Sequence, residues 1–125
     1  MITEDYVSFE TAKLLKEKGF NEKCFYCFDD VIGESRLSRL MICNNSELVE
    51  HYYSAPTLQM AMKWLREVHN LHIQPEITAW PRKGYFVKIY SYRGRHIDFG
   101  PFAKFSDSYE EACEAGIKYC LENLI

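Results

Sequence analysis

SAPTLQMAMKWLREVHNLHIQPEITAWPRKGYFVKIYSY, residues 54–92, contains the change of period that decides the fold. Up to Val68 the apolar side chains recur at Leu58, Ala61, Met62, Leu65 and Val68, the 3.6-residue spacing of a helix. Ser54-Ala55-Pro56-Thr57 sets a proline just inside a helix start, with a hydroxyl on either side to cap it. Met60 and Trp64 widen the stripe and leave only Gln59, Lys63, Arg66 and Glu67 as a thin polar edge. A helix this apolar has to be covered on more than one side, by a sheet and a neighbouring helix or by a partner subunit. From Leu71 the pattern turns extended. Leu71–Trp80 and Tyr85–Tyr92 are predicted to be antiparallel strands joined through Pro81-Arg82-Lys83-Gly84. In the second strand Tyr85, Val87, Ile89 and Ser91 face one way, and Phe86, Lys88, Tyr90 and Tyr92 the other.

Working outward, Arg93-Gly94 permits a tight turn into a shorter strand at His96–Phe99, which Gly100-Pro101 ends. Ser108 followed by Glu111 forms a capping box at the start of the last helix. Tyr109, Ala112, Cys113, Gly116, Ile117, Cys120, Leu121 and Leu124 make its apolar face. A mid-helix glycine costs about 1 kcal/mol against alanine, so Gly116 is expected to mark a close approach to a packed neighbour. Upstream, a helix is predicted over Ser8–Lys18, with Ser8 as N-cap and Gly19-Phe20 as a left-handed C-terminal cap. Phe9, Ala12 and Leu15 are its buried stripe. Strands follow at Cys24–Phe28 and Leu37–Cys43 around a turn at Asp30–Glu34 containing Gly33, and Glu47–Tyr53 adds a short extended piece. The order α-β-β-α-β-β-(β)-α predicts an α+β fold, an antiparallel sheet with helices packed on one face, in a single globular domain over 1–125.

Of the 125 residues, 47% are apolar, 26% charged and 15% aromatic, enough bulk to fill a core and too much for a disordered chain. No apolar run approaches the roughly 18 to 20 residues that span a membrane. The opening Met-Ile-Thr-Glu-Asp-Tyr lacks the basic-then-apolar order of a signal peptide. A cytoplasmic protein without membrane association is expected. The five cysteines, an odd number, fit reduced thiols rather than a disulfide framework. Cys113 and Cys120 are two helical turns apart, about 10 Å, too far to bridge, and lie on the apolar face as small hydrophobes.

Charge is distributed unevenly. Residues 1–50 and 107–125 each carry a net −4, whereas residues 80–106 hold six bases against one acid. Those bases are Arg82, Lys83, Lys88, Arg93, Arg95 and Lys104, interleaved with Tyr85, Phe86, Tyr90, Tyr92 and Phe99. Charges for phosphate and rings for base stacking are what single-stranded nucleic-acid surfaces combine. On this reading Arg82, Lys83, Lys88, Tyr90, Tyr92, Arg93, Arg95 and Lys104 form the contact surface. The other reading is that the block faces the acidic last helix and its rings belong to the core.

Cys24-Phe25-Tyr26-Cys27 has the spacing of half a zinc site, but only Cys43 and His51 are near enough in sequence to complete one. On a regular strand Cys24 and Cys27 would also point to opposite faces. A thioredoxin-type pair opens a helix, and here Phe28-Asp29-Asp30 follows. His51, His69, His72 and His96 are dispersed. There is no phosphate-binding glycine loop, nucleophile elbow or metalloprotease motif. No enzyme activity, cofactor or metal is therefore expected.

Ala55-Pro56-Thr57-Leu58-Gln59-Met60-Ala61-Met62-Lys63-Trp64-Leu65-Arg66-Glu67, with the opening Ile2-Thr3-Glu4 and Glu10 to Phe20, resembles a family of small uncharacterised proteins. They are encoded in phages, prophages and conjugative elements of gut anaerobic bacteria. The closing Ser108 to Cys113 and Cys120 to Leu124 are similar to the same family. The resemblance implies a mobile-element setting inside a bacterial cell and carries over no functional residues. The expected function is a non-enzymatic accessory protein acting through protein contacts, with a second copy as one partner and Met60 and Trp64 as the interface. The alternative is nucleic-acid binding through the hairpin 82–104.

Overall fold

The computed structural model describes residues 1–30, 36–80, 82–91, 96–97 and 105–125. It is an α+β fold with three α-helices and two antiparallel sheets, so the strands divide between two sheets rather than forming the one expected. The chain divides into two compact units, Met1–Gln59 and Met60–Ile125.

In the first unit, helix α1 spans Phe9–Glu17, with the Thr11 amide donating to the Ser8 hydroxyl at its N-cap. Its end is a Schellman motif. The Phe20 amide donates to the Leu15 carbonyl and the Gly19 amide to that of Lys16, with Gly19 at φ +93°. Phe20 and Leu15 are both buried, the apolar contact such a cap brings with it. Strands β1 (Cys24–Asp29), β2 (Arg36–Cys43) and β3 (Tyr52–Ser54) form a sheet ordered β2-β1-β3. The expected turn with Gly33 lies outside the described residues. Of the extended piece expected over Glu47–Tyr53, only the end is strand. A 3-10 turn at Asn45–Glu47 precedes it, opened by the Asn44 side chain, which accepts from the Glu47 amide.

Phe9 of α1 packs edge-on against Phe28 of β1 and Tyr53 of β3, at ring-centroid distances of 5.7 and 5.6 Å. Buried Asn45 ties the unit together: its Nδ2 donates to the Phe20 carbonyl at 2.7 Å, and its Oδ1 accepts from the Ser54 amide at 2.9 Å. One side chain thus links the end of α1 to β3. Lys16 Nζ donates to the Tyr52 carbonyl at 2.8 Å and sits 5.1 Å from the Tyr53 ring centroid, adding a second tie between the same elements.

Helix α2 covers Leu58–His69. It starts two residues after Pro56, not with that proline in its first turn. The physical reason is that 56–58 pair with the N-terminal segment: the Val7 amide donates to the Pro56 carbonyl, and the Leu58 amide to that of Asp5. The first helical N–H is thereby satisfied by backbone. Leu58, Ala61, Met62, Trp64 and Leu65 are buried as the stripe requires, but Val68 is exposed.

In the second unit β4 (His72–Thr78), β5 (Gly84–Tyr90) and β6 (His96–Ile97) form a sheet ordered β4-β5-β6. Pro75 lies within β4, where its missing N–H is tolerated because β4 is an edge strand. Helix α3 (Tyr109–Asn123) packs on β4 and β5, capped by Ser108, whose hydroxyl accepts from the Glu111 amide at 3.1 Å. Ala112, Cys113, Gly116, Ile117, Cys120 and Leu121 are buried as the spacing predicts, while Tyr109 at the first turn stays exposed. Gly116 marks the close approach its position implied. A Cβ there would lie 2.9 Å from Val87 Cγ2 and 3.3 Å from Ile73 Cγ2.

Candidate nucleic-acid interface

The faces of the β4–β5 hairpin follow from its register. Ile73 opposes Ile89 and Pro75 opposes Val87 across the ladder. Ile73 and Val87 meet Gly116, so this set faces α3. The alternate set is His72 opposite Tyr90, Gln74 opposite Lys88 and Glu76 opposite Phe86, on the face away from α3. His72 and Gln74 are exposed there, and Glu76, Phe86, Lys88 and Tyr90 are half-buried.

Aromatic rings flank the turn end of the hairpin. On the face away from α3, Phe105 lies against Phe86 edge-on at 5.5 Å, its Cβ 3.3 Å from where a Cβ on Gly84 would sit. The absence of a side chain at Gly84 is what lets Phe105 settle. Two backbone bonds between Tyr85 and Ser106, at 2.9 and 2.7 Å, hold the segment carrying Phe105 to β5. On the α3 side, Tyr85 meets Tyr109 edge-on at 6.5 Å, and Lys83 Nζ lies 5.9 Å from the Tyr85 centroid. At the tip Trp80 is 83% exposed, and the Thr78 hydroxyl donates to its carbonyl at 2.9 Å.

The expected contact residues fare differently. Arg82 and Lys83, two and three residues after Trp80 in sequence, are exposed. Lys88 is paired, its Nζ 3.5 Å from Glu76 Oε1, while Gln74 Nε2 donates to the same oxygen at 3.4 Å. Tyr90 is half-buried on the same face as Lys88. Tyr92, Arg93, Arg95 and Lys104 lie outside the described residues. Of the two residues expected at a protein interface, Met60 is 39% exposed, but Trp64 is only 6% exposed and packs on the His69 ring at 4.8 Å. Its indole is spent inside the chain. Trp80 and Phe105, which the structure places at this end of the hairpin, were not among the residues singled out from the sequence. For Trp80 the signal was available: next to Pro81 in a hairpin connection, its side chain has no strand neighbour to pack on.

Cys24, Cys27, Cys113 and Cys120 are buried in the core. Cys24 and Cys27 are both buried, although a regular strand would set them on opposite faces. The β1–β2 register shifts between Cys24 and Tyr26, which breaks the alternation, and the adjacent Cys27 and Phe28 are both covered. Among the described residues no three His, Cys, Asp or Glu side chains gather as a metal site. Burial pushes the Cys113 thiol up to about 11 and the Cys120 thiol up to about 12, so both stay protonated near neutrality. A protonated, buried thiol is a poor nucleophile. No helix among the described residues is long and apolar enough to cross a membrane.

Compared with protein-family models, with curated protein sequences and with solved structures, the chain shows no significant match to any.

Proposed function

We propose that the chain is a non-enzymatic nucleic-acid-binding protein that works through the β4–β5 hairpin, in the mobile-element setting its resemblance implies. The observation that carries this reading is the exposed basic pair Arg82 and Lys83 on a hairpin end flanked by Phe86–Phe105 and Tyr85–Tyr109. It brings charge suited to phosphate and rings suited to base stacking to one end of the β4–β5 hairpin. The surrounding segment, six bases against one acid in a chain of net charge −3, concentrates positive charge in this stretch of the sequence. The reading through protein contacts has less support, because Trp64 is buried against His69.

Fluorescence anisotropy with labelled DNA and RNA at low and physiological salt tests the proposal. Binding should weaken steeply as salt rises. Arg82→Glu with Lys83→Glu should weaken it further and reduce the log–log salt slope by about 2, one for each phosphate no longer neutralised. Binding unaffected by the double charge reversal would remove the hairpin from the interface. No binding even at low salt would return the search to protein contacts, with exposed Met60 and Val68 as the first places to look.

A further inference from the structure

Two tryptophans occur in the chain, and they are in opposite environments. Trp64 is buried, whereas Trp80 stands at the tip of the β4–β5 hairpin with most of its surface in water. Indole is large and apolar, and leaving it exposed forfeits the burial free energy that Trp64 collects. The backbone at Trp80 is anchored. The Thr78 hydroxyl bonds its carbonyl, and Pro81 after it in sequence restricts its backbone to extended conformations. Arg82 and Lys83 follow directly and are exposed. A solvent-facing ring followed within three residues by two exposed cations matches a ligand that is flat, aromatic and anionic.

We infer that the ligand is single-stranded nucleic acid and that Trp80 is the platform on which one of its bases stacks. The inference rests on the proposed nucleic-acid function and deepens it by naming the strandedness and the stacking residue. In a duplex both faces of every base are covered by neighbouring pairs, so a ring projecting from a hairpin tip has no base face to meet. A single strand offers unstacked bases, and Arg82 and Lys83 lie within two and three residues of Trp80 to take the adjoining phosphates. The Phe86–Phe105 pair lies farther along the hairpin, where a strand continuing past Trp80 would find a second aromatic surface. An anionic membrane surface is less well matched. Past the tip, Lys88 on the same hairpin is already paired with Glu76, and exposed His72 and Gln74 bring polar rather than apolar surface.

The experiment uses the full chain and its intrinsic fluorescence with four probes: oligo(dT) of about 12 nucleotides, a duplex of equal length, inorganic polyphosphate, and phosphatidylserine–phosphatidylcholine vesicles. Trp80 supplies the water-exposed part of the emission, so stacking on oligo(dT) should quench it. Trp80→Ala should bind oligo(dT) about 5- to 150-fold more weakly, the range seen when a stacking ring is removed. Its salt slope should stay unchanged, because every phosphate keeps its cation. Polyphosphate, which has charge but no bases, should bind both proteins equally. Trp80→Phe, which keeps a ring, should recover most of the affinity. Because the side chain is exposed, none of these variants removes core packing, and far-UV circular dichroism checks that each is folded. Oligo(dT) binding that Trp80→Ala leaves intact, equal or tighter duplex binding, or a spectral response to vesicles alone would each overturn the inference. The first two would leave the nucleic-acid function standing. Failure of every nucleic acid to bind at low salt would instead overturn the function and the inference together.

Discussion

Replacing Gly116 with alanine sets two known effects against each other at one site. In an unobstructed helix the change stabilises by about 1 kcal/mol, because glycine gives up more backbone entropy. Here the added methyl would lie 2.9 Å from Val87 Cγ2 and 3.3 Å from Ile73 Cγ2. Carbon atoms pack best at about 3.5–4.0 Å, so the nearer contact is short by about 0.6 Å or more. The obstructing atom is a methyl of a buried, β-branched side chain on the central strand, with little freedom to rotate away. Overpacking of this kind costs about 1–3 kcal/mol. The clash should cancel or outweigh the propensity gain, leaving Gly116→Ala about 0–2 kcal/mol less stable than the parent.

The companion substitution decides between the two effects. Val87→Ala alone removes the obstruction and should destabilise by about 2–3 kcal/mol through reduced burial and the cavity left. In that background Gly116→Ala should become favourable, since its methyl has room and the propensity gain returns. The double-mutant cycle should therefore show a coupling of about 1–3 kcal/mol that favours the pair, the clash cost it relieves. Because the chain has two compact units, native-state hydrogen exchange of the α3 and β5 amides is the suitable assay, reading the second unit directly. Stabilisation of the parent by the full 1 kcal/mol, with additivity in the cycle to within about 0.5 kcal/mol, would refute the close packing of α3 on this sheet.

Two further outcomes follow from buried polar and thiol groups. Asn45→Ala leaves the Phe20 carbonyl and the Ser54 amide without their side-chain partner and should cost about 2–4 kcal/mol, read as faster exchange of the Ser54 amide. An unchanged exchange rate there would show that the asparagine bridge carries no stability. The raised thiol values of Cys113 and Cys120 also fix a sign. Both groups hold their protons more tightly in the folded state, so their contribution to stability is complete below their ordinary value of 9.0 and is lost as pH climbs towards about 11 and about 12. Urea unfolding midpoints should fall over that interval, and less so in Cys120→Ala; equal falls in parent and variant would assign the alkaline loss to other groups.

Most of the elements were legible in the sequence because local chemistry alone specifies them. Ser8, Gly19 and Ser108 mark helix ends through bonds to backbone groups a few residues away. Gly116 announced its close packing because a mid-helix glycine is costly without a reason. What failed was non-local. Pro56 has the local form of a first-turn proline, yet the chain entering at Asp5 and Val7 takes the hydrogen bonds around it. Cys24 and Cys27 follow no alternation because a register shift against β2 intervenes, and nothing within Cys-Phe-Tyr-Cys encodes it. The separation into two sheets likewise depends on which edges pair, whereas a strand's own pattern shows only that it is a strand.

The candidate site shows the same division more sharply. Composition located the basic, aromatic segment but ranked its residues by type, giving Lys88 the same weight as Arg82 and Lys83. The fold separates them. Glu76 stands diagonally across the ladder and takes up the Lys88 charge, with Gln74 steadying the carboxylate. A phosphate arriving at Lys88 would have to displace that pair, so the free positive field moves outward to Arg82 and Lys83 at the tip. Trp80 stands at the same place, and it was overlooked because an aromatic residue ending a predicted strand reads as core. Glu76, acidic and seven residues upstream of Lys83, falls just outside the basic segment 80–106. Its effect on the basic block comes from the antiparallel register, which a charge map by sequence position does not contain.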